Sequence, residues 1–141
     1  MKIGWAGNKT MNPEETVRLG EEFSSYLERG DVFAMVGELA SGKTTFIQGI
    51  LRGLQYRKPV TSPTFPLINE YDAIYPIIHM DCYREENLNR WLQVGFHDYI
   101  NSENIIIIEW ADKISSLLPK DHIQINFTHT GQDKREIMLE K

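Results

Sequence analysis

The sequence predicts an α/β domain with a mixed, mostly parallel central sheet and a C-terminal antiparallel hairpin. Three observations carry that expectation. Val32-Phe33-Ala34-Met35-Val36 and Ile105-Ile106-Ile107-Ile108 are apolar at every position, the habit of parallel strands covered on both faces. The first run is followed by a glycine-bearing turn and then by Phe46, Ile47, Ile50, Leu51 and Leu54 at helical spacing. The tail alternates instead: Ile123, Ile125 and Phe127, then Ile137 and Leu139, with Thr130-Gly131-Gln132-Asp133 between them, which reads as a hairpin.

The remaining elements follow in order. Asn12-Pro13-Glu14-Glu15 is a helix start, with a capping side chain, a proline at the first turn and a carboxylate placed for a capping box. Leu19, Phe23, Tyr26 and Leu27 keep helical spacing, and Gly30 is a stop, so a helix is expected over about 13–29. Strand 32–36 and a helix over about 43–54 come next. Pro63 and Pro66 exclude a central strand from the first half of 60–71. A strand is expected from Ile74 to Met80, ending at Asp81, then a weakly helical stretch from Leu88 to Tyr99, then the isoleucine strand ending at Glu109.

The length of 141 residues suits one domain over 1–141, large enough to bury roughly two thirds of the surface its unfolded chain exposes. A nucleotide-binding core would use most of it and leave little room for a substrate or lid domain. A single cysteine, Cys82, excludes an internal disulfide and points to a reducing compartment, the cytoplasm. Met1 to Trp5 shows no secretory signal. The longest apolar runs are about five residues against the roughly 20 a membrane span needs. The net charge of -5 argues against a protein whose main task is gripping nucleic acid through its phosphates.

The strongest motif is Gly37-Glu38-Leu39-Ala40-Ser41-Gly42-Lys43-Thr44, which fits G-x-x-x-x-G-K-[ST] at every fixed position. Glycines let the backbone turn tightly so that successive N–H groups face phosphate oxygens, and the following helix adds its positive N-terminus. Lys43 is expected to reach the β- and γ-phosphates and Thr44 to bind Mg²⁺ through its hydroxyl. Chance produces this pattern about once in a few hundred chains of this length. A buried strand before it and an amphipathic helix after it complete the context of a single P-loop NTPase-like domain.

Such a site needs an acid near the metal. Glu109 ends a buried strand and would stand at the carboxyl edge of the sheet beside the loop. Asp81, after Ile77-Ile78-His79-Met80, is the second candidate. Which of the two holds Mg²⁺ and which orients water is left open by the sequence. His79 and Asp81 share a strand face; no third residue at suitable spacing makes them a transition-metal site, so His79 is read as a hydrogen-bonded histidine. Trp110 either stacks on a ligand or partner or fills the sheet edge. The guanine-reading N-K-x-D pattern is absent, because Asn8-Lys9 is followed by Thr10-Met11, so ATP is favoured.

Taken in order, these segments resemble the TsaE family, small bacterial P-loop ATPases needed to form N6-threonylcarbamoyladenosine (t6A) in tRNA. The resemblance spans about residues 12 to 137. It rests on Gly37 to Phe46, Ser62-Pro63-Thr64-Phe65, His79-Met80-Asp81-Cys82-Tyr83-Arg84, Val94 to Tyr99, Ile108-Glu109-Trp110 and Leu118-Pro119. The phosphate loop is shared by many families; the other segments in this order are far more specific. The resemblance implies a Mg²⁺-dependent ATP hydrolase, with Gly37 through Thr45 on the nucleotide. Ser62 to Phe65 would be a switch-like loop that brings Thr64 near the γ-phosphate. Asp81 and Glu109 would be the acids of the site, with Thr44 and Glu109 on the metal. Trp110 would lie at the functional surface, and Thr10, Thr16 and Arg135 would approach the adenine. Its partners would be TsaD and TsaB, whose assembly the hydrolysis resets, with tRNA touched at most indirectly or locally. One departure is Ala40, which stands where the family usually has glycine and is expected to avoid backbone open to glycine alone.

Two rivals use the same loop. In a small-molecule kinase, Asp81 would be the base for a substrate hydroxyl and Arg84 a substrate or transition-state contact. In a nucleotide-dependent binding module, turnover would be negligible.

Overall fold

The computed structural model describes residues 1–38, 40–58, 67–85, 87–100 and 103–140. They form a seven-stranded sheet in the order β1-β7-β6-β2-β5-β4-β3. The strands are β1 (Gly7–Thr10), β2 (Val32–Gly37), β3 (Ile68–Asp72), β4 (Pro76–Asp81), β5 (Ile105–Glu109), β6 (Ile123–His129) and β7 (Arg135–Leu139). The four central strands, β6-β2-β5-β4, run parallel. Antiparallel pairs flank them: β3 with β4 on one side, β7 with β6 and β1 with β7 on the other. The mixed sheet and the terminal hairpin are as the sequence predicts.

Alternation explains why the isoleucine run is apolar throughout. Ile105 and Ile107 join one core with Phe33, Met35 and Ile125, against Leu19 and Phe23 of α1 (Pro13–Ser24) and Phe46, Ile47, Ile50 and Leu51 of α2 (Lys43–Gly53). Ile106 and Ile108 join a second core on the opposite face, with Val32, Ala34, Ile78 and Met80, under Trp91 of α3 (Leu88–Gln93) and Phe96 of α4 (Phe96–Ile100). All four isoleucines are fully buried, worth about 2 kcal/mol each in area removed from water. Asp81 and Glu109 lie opposite each other in the β4–β5 register. Their positions continue the series Ile77, His79 and Ile105, Ile107, so both acids emerge on the α1–α2 face. That places them on the side of the sheet where α2 starts.

Asn12 caps α1 by accepting from the Glu15 amide at 2.9 Å. The Glu15 carboxylate closes the cap on the Met11 amide, also at 2.9 Å, one residue earlier than a standard capping box. The helix ends at Ser24 rather than near 29. Two tight turns follow, Tyr26 N–H to Phe23 O and Leu27 N–H to Ser24 O, and they keep Leu27 buried. The helical spacing of Tyr26 and Leu27 therefore marks burial, not continuing helix. β4 starts at Pro76, because Ile74 belongs to the β3–β4 turn and is half exposed. β1 is unforeseen: Gly7-Asn8-Lys9-Thr10 carries no apolar alternation and is held by pairing with β7. Among the described residues no helix is long and apolar enough to cross a membrane.

The two helices approach so closely that they meet through glycines. A Cβ on Gly20 would stand 2.3 Å from Phe46 O, and one on Gly49 would stand 2.1 Å from Val17 O. Both obstacles are backbone, so relief requires the helices to part. Gly49→Ala is expected to destabilise the chain by about 3 kcal/mol through this overpacking, read from the urea midpoint. A change below about 0.5 kcal/mol, the range of an ordinary surface substitution, would contradict this packing.

Candidate functional site: a cavity between the phosphate loop and two acidic strand ends

The loop joining β2 to α2 sits over the carboxyl end of the sheet. Gly42 is the N-cap of α2 with φ 100°, a conformation open to glycine and costly for other residues. Ala40 has φ 60°. This is the left-handed region, which glycine populates freely and alanine at a cost of about 1 kcal/mol, so the Ala40 departure is accommodated with some strain. Gly42 at the N-cap offers no capping side chain. The N–H groups of the first turn of α2 have no partner within the helix and point toward an anion site.

Lys43, the first residue of α2, is buried. Its Nζ donates to Gly37 O, to Glu38 O at 2.9 Å and to Ser41 Oγ at 3.4 Å. The same ammonium lies 4.0 Å from the centre of the Trp110 ring, close enough for a cation–π attraction. Burial lowers the Lys43 pKa, opposed by the charges of Glu109, Asp81, Asp112 and Glu38. The lysine is thus folded onto its own loop and covered by an aromatic ring.

The acids stand across from it. Glu109 is buried, and its Oε2 lies 2.7 Å from Nε2 of the fully buried His79. Asp81 is half-buried, and its Oδ1 accepts from the Tyr83 amide at 2.9 Å. Burial raises the Asp81 pKa; the Tyr83 amide opposes that shift and the neighbouring Glu109 charge adds to it. Trp110 follows Glu109 with φ 57°, unusual for a bulky residue and a form of strain that concentrates at functional sites. Its ring packs on Tyr83, with centroids 4.9 Å apart.

The raised Asp81 pKa has a testable sign. Between the ordinary carboxylate value and the raised one, the folded chain holds this proton where the unfolded chain has lost it. Stability therefore falls as pH rises through the raised value. Asp81→Asn keeps an oxygen for the Tyr83 amide and removes the buried charge. It is expected to raise Tm of the nucleotide-free chain at neutral pH; an unchanged or lower Tm would show that the charge carries no such cost.

These groups enclose a cavity of about 410 Å³. Ala40 to Thr45 of the loop, Asp81, Glu109, Trp110, Thr16 and Arg135 all line it. Gly37 and Glu38 serve it through the carbonyls that hold Lys43. Thr10 does not line the cavity; it is buried behind Thr16, their hydroxyls 2.7 Å apart. Arg135 turns its Nη1 onto the hairpin carbonyls of Gly131, Gln132 and Lys134 and lays its stem beside Gly42. Leu39 and the Ser62–Phe65 segment with Thr64 lie outside the described residues. Pro13, Asp133, Tyr83 and Arg84 also line the cavity. The first two carried no sequence signal as site residues, because one reads as a helix start and the other as a hairpin turn.

A family model described as threonylcarbamoyl adenosine biosynthesis protein TsaE matches residues 10–137. The chain belongs to the TsaE family. The protein named tRNA threonylcarbamoyladenosine biosynthesis protein TsaE from Bacillus subtilis (strain 168) is 38% identical over 130 residues, covering 92% of this chain and 81% of that protein. Its namesake from Treponema pallidum (strain Nichols) is 33% identical over 126 residues, covering 89% and 93%. The crystal structure of Bacillus subtilis YdiB superposes with a TM-score of 0.80 at 33% identity, over 96% of this chain and 86% of that one. Lys43, Asp81 and the adjacent pair Glu109 and Trp110, from three distant described segments of the resemblance, meet at one cavity.

Proposed function

We propose that this chain binds Mg²⁺·ATP in the cavity and hydrolyses it, and that it serves t6A formation in tRNA as a partner of TsaD and TsaB. The observation that carries this reading is the convergence on one cavity of Lys43 and Thr44 from the start of α2 with Asp81 and Glu109 from two strand ends. The names of the relatives support the pathway.

The oxygen donors suit the cation. The Thr44 hydroxyl and two carboxylates are ligands that Mg²⁺ takes, usually together with water and phosphate oxygens. Among the described residues no cluster of three His, Cys, Asp or Glu side chains could hold a metal alone. Bound there, Mg²⁺ would neutralise charge on the β- and γ-oxygens. Thr44 and Glu109 would hold it. Asp81, nearer the rim and with its pKa raised by burial, is the better acceptor for a water proton. Lys43 would leave the carbonyls of Gly37 and Glu38 for phosphate oxygens, and the Trp110 ring would shift with it. Phosphoryl transfer to water then relies on positioning and fixed charge.

Calorimetry with ATP and GTP in Mg²⁺ tests the nucleotide assignment. ATP is expected to bind at least about tenfold more tightly, a difference of about 1.4 kcal/mol; equal affinities would remove ATP preference. Product analysis with candidate alcohols and nucleosides separates hydrolysis from the kinase alternative. Inorganic phosphate is expected as the product, and a phosphorylated acceptor would favour the kinase.

A further inference from the structure

We propose that His79 is a positioning residue for the Glu109 carboxylate, fixing the orientation in which that acid meets the metal. The inference rests on the hydrolase reading above and concerns a residue that makes no contact with nucleotide in that reading.

His79 sits inside β4, two residues before Asp81, with no exposed surface. Its Nε2 is 2.7 Å from Glu109 Oε2, across the β4–β5 strand pair. Its other nitrogen, Nδ1, is buried with no hydrogen-bond partner among the described residues. A buried polar atom without a partner costs about 1–3 kcal/mol. An apolar residue would avoid that cost, and its neighbours Ile77, Met80 and Ile107 are all apolar and buried. The strand thus carries an imidazole at a position where packing alone calls for a hydrocarbon, and the bond to Glu109 is what the ring contributes.

A carboxylate oxygen that carries no hydrogen only accepts, so in this bond Nε2 is the donor. The bond engages Glu109 Oε2 and restrains rotation of the carboxylate. Partners of this kind orient metal-holding acids, and their loss commonly costs about 10–100-fold in metal affinity or activity.

Two amides of different reach test the idea. Glutamine places its nitrogen near the position of Nε2; asparagine stops near Nδ1 and falls short of Glu109. His79→Asn is expected to raise the Mg²⁺ concentration for half-maximal hydrolysis by about 10–100-fold, with KM for ATP within about threefold. His79→Gln is expected to restore both to within about threefold of the parent chain. Equal impairment of both variants would assign His79 to packing and overturn the proposal, as would normal behaviour of both. Imidazole nitrogen NMR on the unsubstituted, metal-free chain gives a reading that no variant's folding can disturb. The Nε2–H tautomer is expected, and the Nδ1–H tautomer would overturn the proposal. If the parent chain shows no Mg²⁺-dependent hydrolysis, the hydrolase reading fails and this inference fails with it. If the parent chain is active and His79→Asn is unaffected, only the inference fails.

Discussion

Lys43→Ala will weaken ATP binding by at least about 100-fold, close to 3 kcal/mol, and will remove the rise in Tm that ATP gives the parent chain. The size follows from what the ammonium does. It is buried and carries its charge against a desolvation cost, held among the described residues by loop carbonyls, Ser41, the Trp110 ring and the charges of Glu109 and Asp81. Phosphate oxygens would replace neutral carbonyl acceptors with charged ones, and a hydrogen bond to a charged group is worth about 1.5–3 kcal/mol. The ammonium can make more than one. Binding within about threefold of the parent, measured by calorimetry, would mean that nucleotide does not sit on this loop. The substitution should also change the fluorescence of Trp110, whose ring loses the cation 4.0 Å from its centre.

Glu109→Gln will lower kcat by about 10²–10⁴-fold, the range for removing a group that acts on the transition state. ATP affinity without metal should change by less than about tenfold. Glutamine has the same shape and keeps a carbonyl oxygen for the His79 N–H, so the substitution removes charge while leaving position nearly intact. Glu109→Gln therefore tests the charge and His79→Asn tests the orientation. Retention of more than about a third of the parent turnover would deny Glu109 its role. Among the described residues Asp81 would then be the acid at the cavity's strand ends left to hold Mg²⁺.

The parts of the fold that were legible in the sequence share a cause. The isoleucine strand, β2 and the terminal hairpin are governed by burial on one or two faces, and burial writes itself locally as run or alternation. The phosphate loop was legible because its backbone demands fixed residue types at fixed spacing. What escaped depends on contacts between distant segments. β1 is polar and exists through pairing with β7. Gly20 and Gly49 look like weak points in two helices until the helices are brought together. His79 and Glu109 lie thirty positions apart in sequence, and no local pattern couples them. Pro13 and Asp133 reach the cavity because α1 and the β6–β7 turn flank α2. Thr10 lies close to the site without lining the cavity, its hydroxyl bonded to Thr16 behind the cavity wall.

The size of the chain bears on how the proposed hydrolysis would be used. One domain holds the cavity, and Tyr83 and Arg84 at its rim are exposed. In the proposed reading, the net charge of -5 argues against tRNA as a direct ligand, and nucleotide state would be read by another protein rather than by a substrate pocket within this chain.

Phosphate release from Mg²⁺·ATP by the purified chain, with and without TsaD and TsaB, tests this most directly. Hydrolysis that is slow alone, stimulated by the two proteins and abolished by Lys43→Ala is the predicted result. Release at the buffer rate in both conditions, with ATP shown to be bound, would contradict it and leave a binding module in its place.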